Sequence, residues 1–245
     1  MAFIDLALGA VCVFIATSAG SLFTLAVKKI EGKKYSAMLA FSAGVMIYSA
    51  VEMLIQSHQQ SGDMILLFGF ACGVFVLFAS EKLLPHIHRQ IRNEDMTDGK
   101  KKAALIAGSI AIHNIPEGLS IATAFASSTP LGWFVTTSIA LQDIPEGALV
   151  SAPLSAYGIS RRSATLFGIL SGFIESAAAI GGYIFLGVFV NLIPGSLAFS
   201  SGAMAYVVFV ELLPDAIADG NERLAGITFL AGAVVAFLIA SAFAV

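Results

Sequence analysis

Apolar stretches of about 20 residues recur along the whole chain, and each is long enough to cross roughly 30 Å of hydrocarbon as a helix. Of the 245 residues, 58% are hydrophobic and 12% are charged. Soluble domains carry about a quarter charged residues, which argues against a solvated globular fold. We therefore predict an all-α membrane protein, with one transmembrane domain over residues 1–245. The eight predicted spans are residues 3–27, 36–57, 64–84, 103–126, 131–154, 163–190, 196–216 and 224–244.

The basic residues predict how these spans are oriented. Loops are numbered by the span that they follow, and all 13 Lys and Arg residues lie in or next to the odd-numbered loops. They are Lys28, Lys29, Lys33, Lys34, Lys82, Arg89, Arg92, Lys100, Lys101, Lys102, Arg161, Arg162 and Arg223. Because basic loops stay in the cytoplasm, the odd-numbered loops are predicted to be cytoplasmic and both termini to lie outside. The basic residues are thus accounted for by topology, and they give no indication of a nucleic-acid partner.

The longest predicted connection is the cytoplasmic loop 86–102, which carries charges of both signs. A solvated connector is one interpretation of this loop. His86 and His88 could bind a metal ion weakly, since two imidazoles supply only two of the ligands that a metal ion needs.

Internal repetition predicts the architecture. Residues 113–118 read HNIPEG and residues 142–147 read QDIPEG. Spans 2 and 7 share a looser pattern of Gly, Met, Tyr and a late Glu, in AGVMIYSAVEMLI and SGAMAYVVFVELLP. The paired spans run in opposite directions. We predict inverted three-helix repeats flanking a central helix pair, spans 4 and 5, as is common in transporters.

The two motifs place polar groups at the same depth in neighbouring spans. Residues four apart share a helix face, so His113 points with Glu117, and Gln142 points with Glu146. A second facet, three residues from each glutamate, carries Asn114 and Asp143. The prolines at the centre of each motif remove a helical hydrogen bond, and the glycines let helices approach closely.

The cost of buried charge indicates what such a cluster holds. An ionised side chain at the bilayer centre costs roughly 2.5–3.5 kcal/mol, so four of them would cost on the order of 10 kcal/mol. The four carboxylates are those of Glu117, Asp143, Glu146 and Glu211. No Lys or Arg lies near the middle of any span, so protons or a bound cation must neutralise them. Imidazole beside carboxylates favours a transition metal such as Zn²⁺ over K⁺, Na⁺ or Mg²⁺.

Other polar residues in the spans stand alone. Glu52, Glu175 and Asp215 are each as consistent with a structural hydrogen bond as with a transport pathway. Met46 lies in the repeated stretch of span 2 and is a further candidate for the pathway.

The motif HNIPEG, with its PEG-containing partner in the next span, resembles the Zrt/Irt-like (ZIP) family of divalent-metal transporters. The resemblance extends to eight spans, outward termini and a longest loop between spans 3 and 4. The stretches EKLLPHIHR and GAMAYVVFVELLPDA are also similar to that family. It implies a fold of eight helices and a binuclear metal centre between spans 4 and 5.

The resemblance also implies the ligands. The first site would use His113, Glu117, Gln142 and Glu146. The second would use Asn114, Asp143 and Glu211, with Glu117 and Glu146 bridging the two ions. QDIPEG resembles the prokaryotic GufA-like branch, because many relatives have His where this chain has Gln142. A neutral amide in place of an imidazole weakens a preference for zinc, so Cd²⁺, Fe²⁺, Mn²⁺ and Co²⁺ stay as alternatives to Zn²⁺.

We therefore predict a transporter of the bacterial inner membrane that moves zinc into the cytoplasm, entering past Met46 and Glu52. It is not expected to be an enzyme, because an intramembrane metalloprotease typically carries an H-E-x-x-H helix, which is absent. A metal-selective channel and a proton-coupled carrier of another solute remain alternatives. The lipid bilayer is the expected environment, and a homodimer is an open alternative to a monomer.

Overall fold

The computed structural model describes residues 2–26, 32–83, 99–156, 159–218 and 220–245, and these ranges contain eight long helices. The eight helices are α1 (Ala2–Ala26), α2 (Lys33–Gln60), α3 (Asp63–Leu83), α4 (Gly99–Ser127), α5 (Thr129–Ala156), α6 (Arg161–Val188), α7 (Val190–Ile217) and α8 (Glu222–Phe243). Each overlaps one predicted span, and the helix and span ends differ by up to six residues. His86 and His88 lie outside the described residues.

Helix ends follow local sequence signals. The Ser160 hydroxyl accepts the Ser163 amide at 3.2 Å and caps the start of α6. The Ser128 hydroxyl accepts the Leu131 amide at 3.3 Å, so the turn between α4 and α5 needs a single residue outside the helices. Gly220 takes a φ of 75° between α7 and α8, which a residue with a Cβ rarely adopts. Short turns of this kind make consecutive helices antiparallel.

The eight helices pack in two groups. Helices α1, α4, α5 and α6 form the first group, in which α1 packs on α5 and α4 packs on α6. In the second group α2 packs on α8, α3 packs on α7, and α2 meets α7. The groups touch mainly where α2 meets α5 and where α7 meets α4. The two helices that carry the polar motifs therefore lie at the boundary between the groups.

These contacts confirm the inverted repeat. The repeat relates α1 to α6, α2 to α7, α3 to α8 and α4 to α5. When each helix is replaced by its equivalent, every major helix–helix contact becomes a contact that the structure also contains. The match holds for individual residues. A Cβ on Gly44 of α2 would clash with the carbonyl oxygen of Phe229 in α8, and a Cβ on Gly202 of α7 would clash with that of Phe70 in α3.

One extra residue in α7 interrupts the repeat. The sequence separation between Tyr48 and Tyr206 equals that between Gly44 and Gly202. The separation between Glu52 and Glu211 is one residue longer, so the extra residue lies between Tyr206 and Glu211. The additional residue coincides with a π-helical turn at Val208–Leu212, ahead of a last helical turn, Leu213–Ile217. A π-helical turn is a single-turn widening of an α-helix and often occurs at a functional site. Glu211 lies in this turn.

The outer surface of the bundle is apolar. Large hydrophobic side chains are exposed along α3, α6 and α8, including Phe68 and Val188, which are 73% and 72% exposed. By length and hydropathy, six helices within the described residues can cross a membrane, and the other two are the motif helices α4 and α5. Apolar surface this extensive is stable when it faces lipid.

Candidate metal centre

The two motifs lie in continuous helices. Pro116 is inside α4, and Pro145 occupies the corresponding place in α5. The Pro116 carbonyl accepts the Ser120 hydroxyl at 2.7 Å. In each motif the glycine packs directly on the backbone of a neighbouring helix, Gly118 on α6 and Gly147 on α1. The glycines thus bring the motif helices into backbone contact with α6 and α1, next to the motif carboxylates.

Three carboxylates converge between α4 and α5. Glu117, Asp143 and Glu146 each present one oxygen, and these oxygens lie within 4.8 Å of one another. Glu117 and Asp143 are only 2% and 1% exposed. Two ligands at about 2.0–2.2 Å from a single zinc ion are at most about 4.4 Å apart. A small closure of the cluster would therefore let all three bind the same cation.

Several polar acceptors in this cluster lack a donor. Gln142 donates its side-chain amide to Glu117 Oε1 at 2.7 Å. Glu117 Oε2, Gln142 Oε1 and Glu146 Oε1 are buried without a hydrogen-bond partner among the described residues. Buried acceptors almost always have a partner, and each one left without costs stability. A cation or protons would satisfy all of these atoms at once.

His113 reaches the neighbouring group of helices. Its Nε2 lies 2.5 Å from Glu211 Oε2, and both side chains are about one-fifth exposed, at 22% and 18%. The contact joins the start of the first motif to the π-helical turn of α7. Glu211 thus contacts a predicted ligand of the first site, whereas the family resemblance implied that Glu211 belongs to the second.

Glu175 joins the cluster from α6. It is fully buried, and Thr17, Asn114 and Asp143 approach its carboxylate closely enough to interact with it. None of them reaches hydrogen-bond geometry, so both Glu175 oxygens count among the buried acceptors of the described residues that lack a donor. The sequence predicted Glu175 only as an isolated pathway candidate. The packing of α6 against Gly118 brings it to the second facet of the motifs, beside Asn114 and Asp143.

The remaining predicted residues lie elsewhere. Met46 is 1% exposed in the apolar core. Glu52 accepts a long hydrogen bond from Gln56 at 3.5 Å in the C-terminal half of α2. Asp215 is half-buried in the last turn of α7. The site roles of these residues stay predictions.

Comparison with known proteins agrees with the sequence and the fold. The profile described as ZIP Zinc transporter matches residues 88–240. The zinc transporter ZupT of Chlorobium chlorochromatii is 32% identical over 243 residues, covering 90% of this chain and 91% of that protein. The zinc transporter ZIPB of Bordetella bronchiseptica is 30% identical over 94% of this chain and 79% of its own. The zinc transporter GufA of Myxococcus xanthus is 31% identical over 70% of this chain and 68% of its own.

The match covers both motif helices and most of the second repeat, and relatives of similar length align along nearly the whole chain. Membership of a transporter family also removes the protease alternative. The chain is a multi-pass membrane protein that belongs to the ZIP zinc transporter family.

Proposed function

We propose that the protein carries zinc across the membrane into the cytoplasm through a binuclear site between α4 and α5. The observation that carries this proposal is a set of buried acceptors on Glu117, Gln142 and Glu146 that find no donor among the residues the structure describes. These atoms need positive charge, and no Lys or Arg lies near the middle of the membrane spans to supply it. Relatives named as zinc transporters support zinc as the cargo.

The first site would bind zinc through His113, Glu117, Gln142 and Glu146, which supply four ligands, the number that zinc prefers. Its carboxylates lie close together, and the Gln142 side chain already contacts Glu117. His113 would exchange its contact with Glu211 for the ion, or keep it and bind through the other ring nitrogen. A carboxylate on the second nitrogen is a common way to orient a metal-binding histidine.

The second site would bind an ion through Asn114, Asp143 and Glu175, with Glu117 and Glu146 bridging. Glu175 replaces Glu211 in this set, because Glu175 approaches Asn114 and Asp143 while Glu211 contacts His113. The revised set contains four carboxylates, which together balance the charge of two divalent ions. Such a balance lowers the cost of holding ions in an apolar interior.

A carrier is favoured over an open channel. Met46 of α2, Phe134 of α5 and Met204 of α7 are at most 1% exposed and pack in the same apolar core. An ion that enters past Met46 and Glu52 therefore needs these side chains to move apart. The basic loops support an inner-membrane protein with both termini outside and with release toward the cytoplasm.

Purified protein in liposomes tests the proposal. Uptake of Zn²⁺, Cd²⁺, Fe²⁺, Mn²⁺ and Co²⁺ would be followed separately, with protein-free liposomes as the background. We expect saturable Zn²⁺ uptake, with weaker discrimination among the other ions because Gln142 replaces an imidazole. Transport of none of these ions would contradict the proposal. Uptake that stays linear with concentration would instead favour the channel.

A further inference from the structure

Helix α1 contributes a buried hydroxyl to the proposed second site. Thr17 is 2% exposed, and its Oγ1 lies 3.2 Å from Asp143 Oδ2 and 2.9 Å from the Val13 carbonyl oxygen. It also approaches the Glu175 carboxylate. No feature of the sequence assigns α1 a role in metal binding. The hydroxyl nevertheless contacts one proposed ligand and faces another.

The inverted repeat places Thr17 at the position equivalent to Glu175. A Cβ on Gly118 would clash with the carbonyl oxygen of Glu175, and a Cβ on Gly147 would clash with that of Thr17. Thr17 and Glu175 also have the same sequence separation as Gly44 and Gly202. The two halves of the molecule therefore direct one hydroxyl and one carboxylate toward the same site.

Charge explains why these equivalent positions differ. Glu117, Asp143, Glu146 and Glu175 supply four negative charges, which two divalent ions neutralise. A carboxylate at position 17 as well would leave one uncompensated charge in the membrane interior, which is costly. A hydroxyl at this position can hold a ligand without adding charge.

The geometry of Thr17 suits it to orient Asp143. The hydroxyl has one proton, and turning it from the Val13 carbonyl oxygen to Asp143 Oδ2 fixes the rotation of the carboxylate and leaves Oδ1 to face the ion. The Thr17 side chain is itself held by close packing, since a Cβ on Gly172 of α6 would come within 2.9 Å of the Thr17 Cβ. A tightly packed side chain positions its hydrogen-bond partner more precisely than a mobile one.

We propose that Thr17 is a positioning residue of the second metal site, which holds Asp143 in the orientation that binds the ion beside Glu175. This inference rests on the proposed binuclear site. It predicts that the Thr17 hydroxyl tunes the affinity of the second ion and leaves the first site unchanged.

The test is a Zn²⁺ titration of purified protein against a competing chromophoric chelator, with metal content measured at saturation. Thr17→Val removes the hydroxyl at nearly constant shape. We expect it to weaken the second Zn²⁺ site by about 10–100-fold, as loss of an outer-shell partner typically does. Thr17→Ser should restore the wild-type affinity, because it keeps the hydroxyl.

Thr24→Val is the matched control. Thr24 is equally buried in α1, at 2% exposed, but its hydroxyl bonds to the Ser21 carbonyl and to Thr165. Its titration should equal that of the wild type. Equal weakening by Thr24→Val and Thr17→Val would show a packing effect and overturn the proposal. If Thr17→Val does not fold, Thr17→Ala is titrated in its place and compared with Thr24→Val in the same way.

Glu175→Gln separates this inference from the function on which it rests. Wild-type protein that binds two Zn²⁺ ions, together with a Glu175→Gln variant that binds one, would support the binuclear site. If both results hold, a Thr17→Val variant that binds both Zn²⁺ ions with wild-type affinity would overturn the role of Thr17 and leave the binuclear site standing. Wild-type protein that saturates with one Zn²⁺ ion would overturn the binuclear site, and with it this inference.

Discussion

Glu117 is the residue on which the proposed centre depends most. It accepts the Gln142 amide through one oxygen, leaves the other without a donor among the described residues, and is placed to bridge both ions. Glu117→Gln keeps the size of the side chain and removes its charge. We expect Zn²⁺ uptake to fall at least about 100-fold, because a lost ligand costs more than a lost outer-shell partner. Liposome uptake at equal protein content measures this effect.

Glu52→Gln is the control for that substitution. It removes a membrane carboxylate that lies outside the cluster and contacts Gln56. Uptake should fall far less than in Glu117→Gln, by weakening ion entry alone. Normal transport by Glu117→Gln would mean that the space between α4 and α5 is not the pathway.

Glu175 and Glu211 make different contacts, and their substitution separates the two versions of the second site. Glu175→Ala should lower bound zinc by one ion per protein, since it removes a second-site ligand. Glu211→Ala should retain both ions, because Glu211 contacts His113, a ligand of the proposed first site. Metal content of the purified variants measures both. Loss of an ion from Glu211→Ala with none lost from Glu175→Ala would restore the ligand set predicted from sequence.

The sequence predicted part of this centre and could not predict the rest. Helical spacing alone placed Glu117 and Glu146 with their polar neighbours on shared faces, and the structure brings Glu117, Asp143 and Glu146 together. Glu175 and Thr17 lie on other helices. Their approach depends on which helix packs against each motif glycine, and spacing within one helix carries no such information.

At the scale of helices, the motif glycines let α4 and α5 contact their neighbours at backbone distance. A Cβ on Gly118 would clash with the Glu175 carbonyl oxygen and come within 2.8 Å of the Ala178 Cβ. We expect Gly118→Ala to destabilise the protein by about 1–3 kcal/mol, the usual cost of overpacking. Thermal unfolding in detergent measures the loss. Transport should also fall, because α6 would carry Glu175 away from Asp143.

Gly181→Ala is the matched control in α6. A Cβ at Gly181 meets no atom of the described residues within 4 Å. Alanine is also the better helix former by about 1 kcal/mol, so the unfolding temperature should stay the same or rise. An equal loss in both variants would point to a general cost of alanine and not to the close approach of α4 and α6.

Helix positions were predictable because apolar length determines them. The π-helical turn at Val208–Leu212 was not predictable. Hydropathy does not detect one inserted residue. The sequence spacing shows the extra residue between Tyr206 and Glu211, but it does not say that the helix accommodates it as a π-helical turn. Its consequence is local, since the added residue turns Glu211 about the helix axis relative to Glu52 and lets it reach His113.

At the scale of the molecule, two repeated stretches were enough to predict the inverted architecture. The loose match between spans 2 and 7 corresponds to glycine contacts that are equivalent in the structure. The sequence could not predict the division into two groups of helices, because that depends on which faces pack. This division places the proposed site where the groups meet, so any relative movement of the groups would act directly on His113 and Glu211.

The orientation of the whole molecule rests on its basic loops and sets the direction of transport. Gly62 and Ser128 lie in turns that we predict to be outside, and Gly99 begins α4 at the side with the basic loops. Single cysteines at these positions, in a background without Cys12 and Cys72, report the side directly. Gly62→Cys and Ser128→Cys should react with an impermeant thiol reagent in intact cells, and Gly99→Cys should react only after lysis. Labelling of Gly99→Cys alone in intact cells would place both termini inside, and zinc that leaves toward the basic loops would then leave the cell.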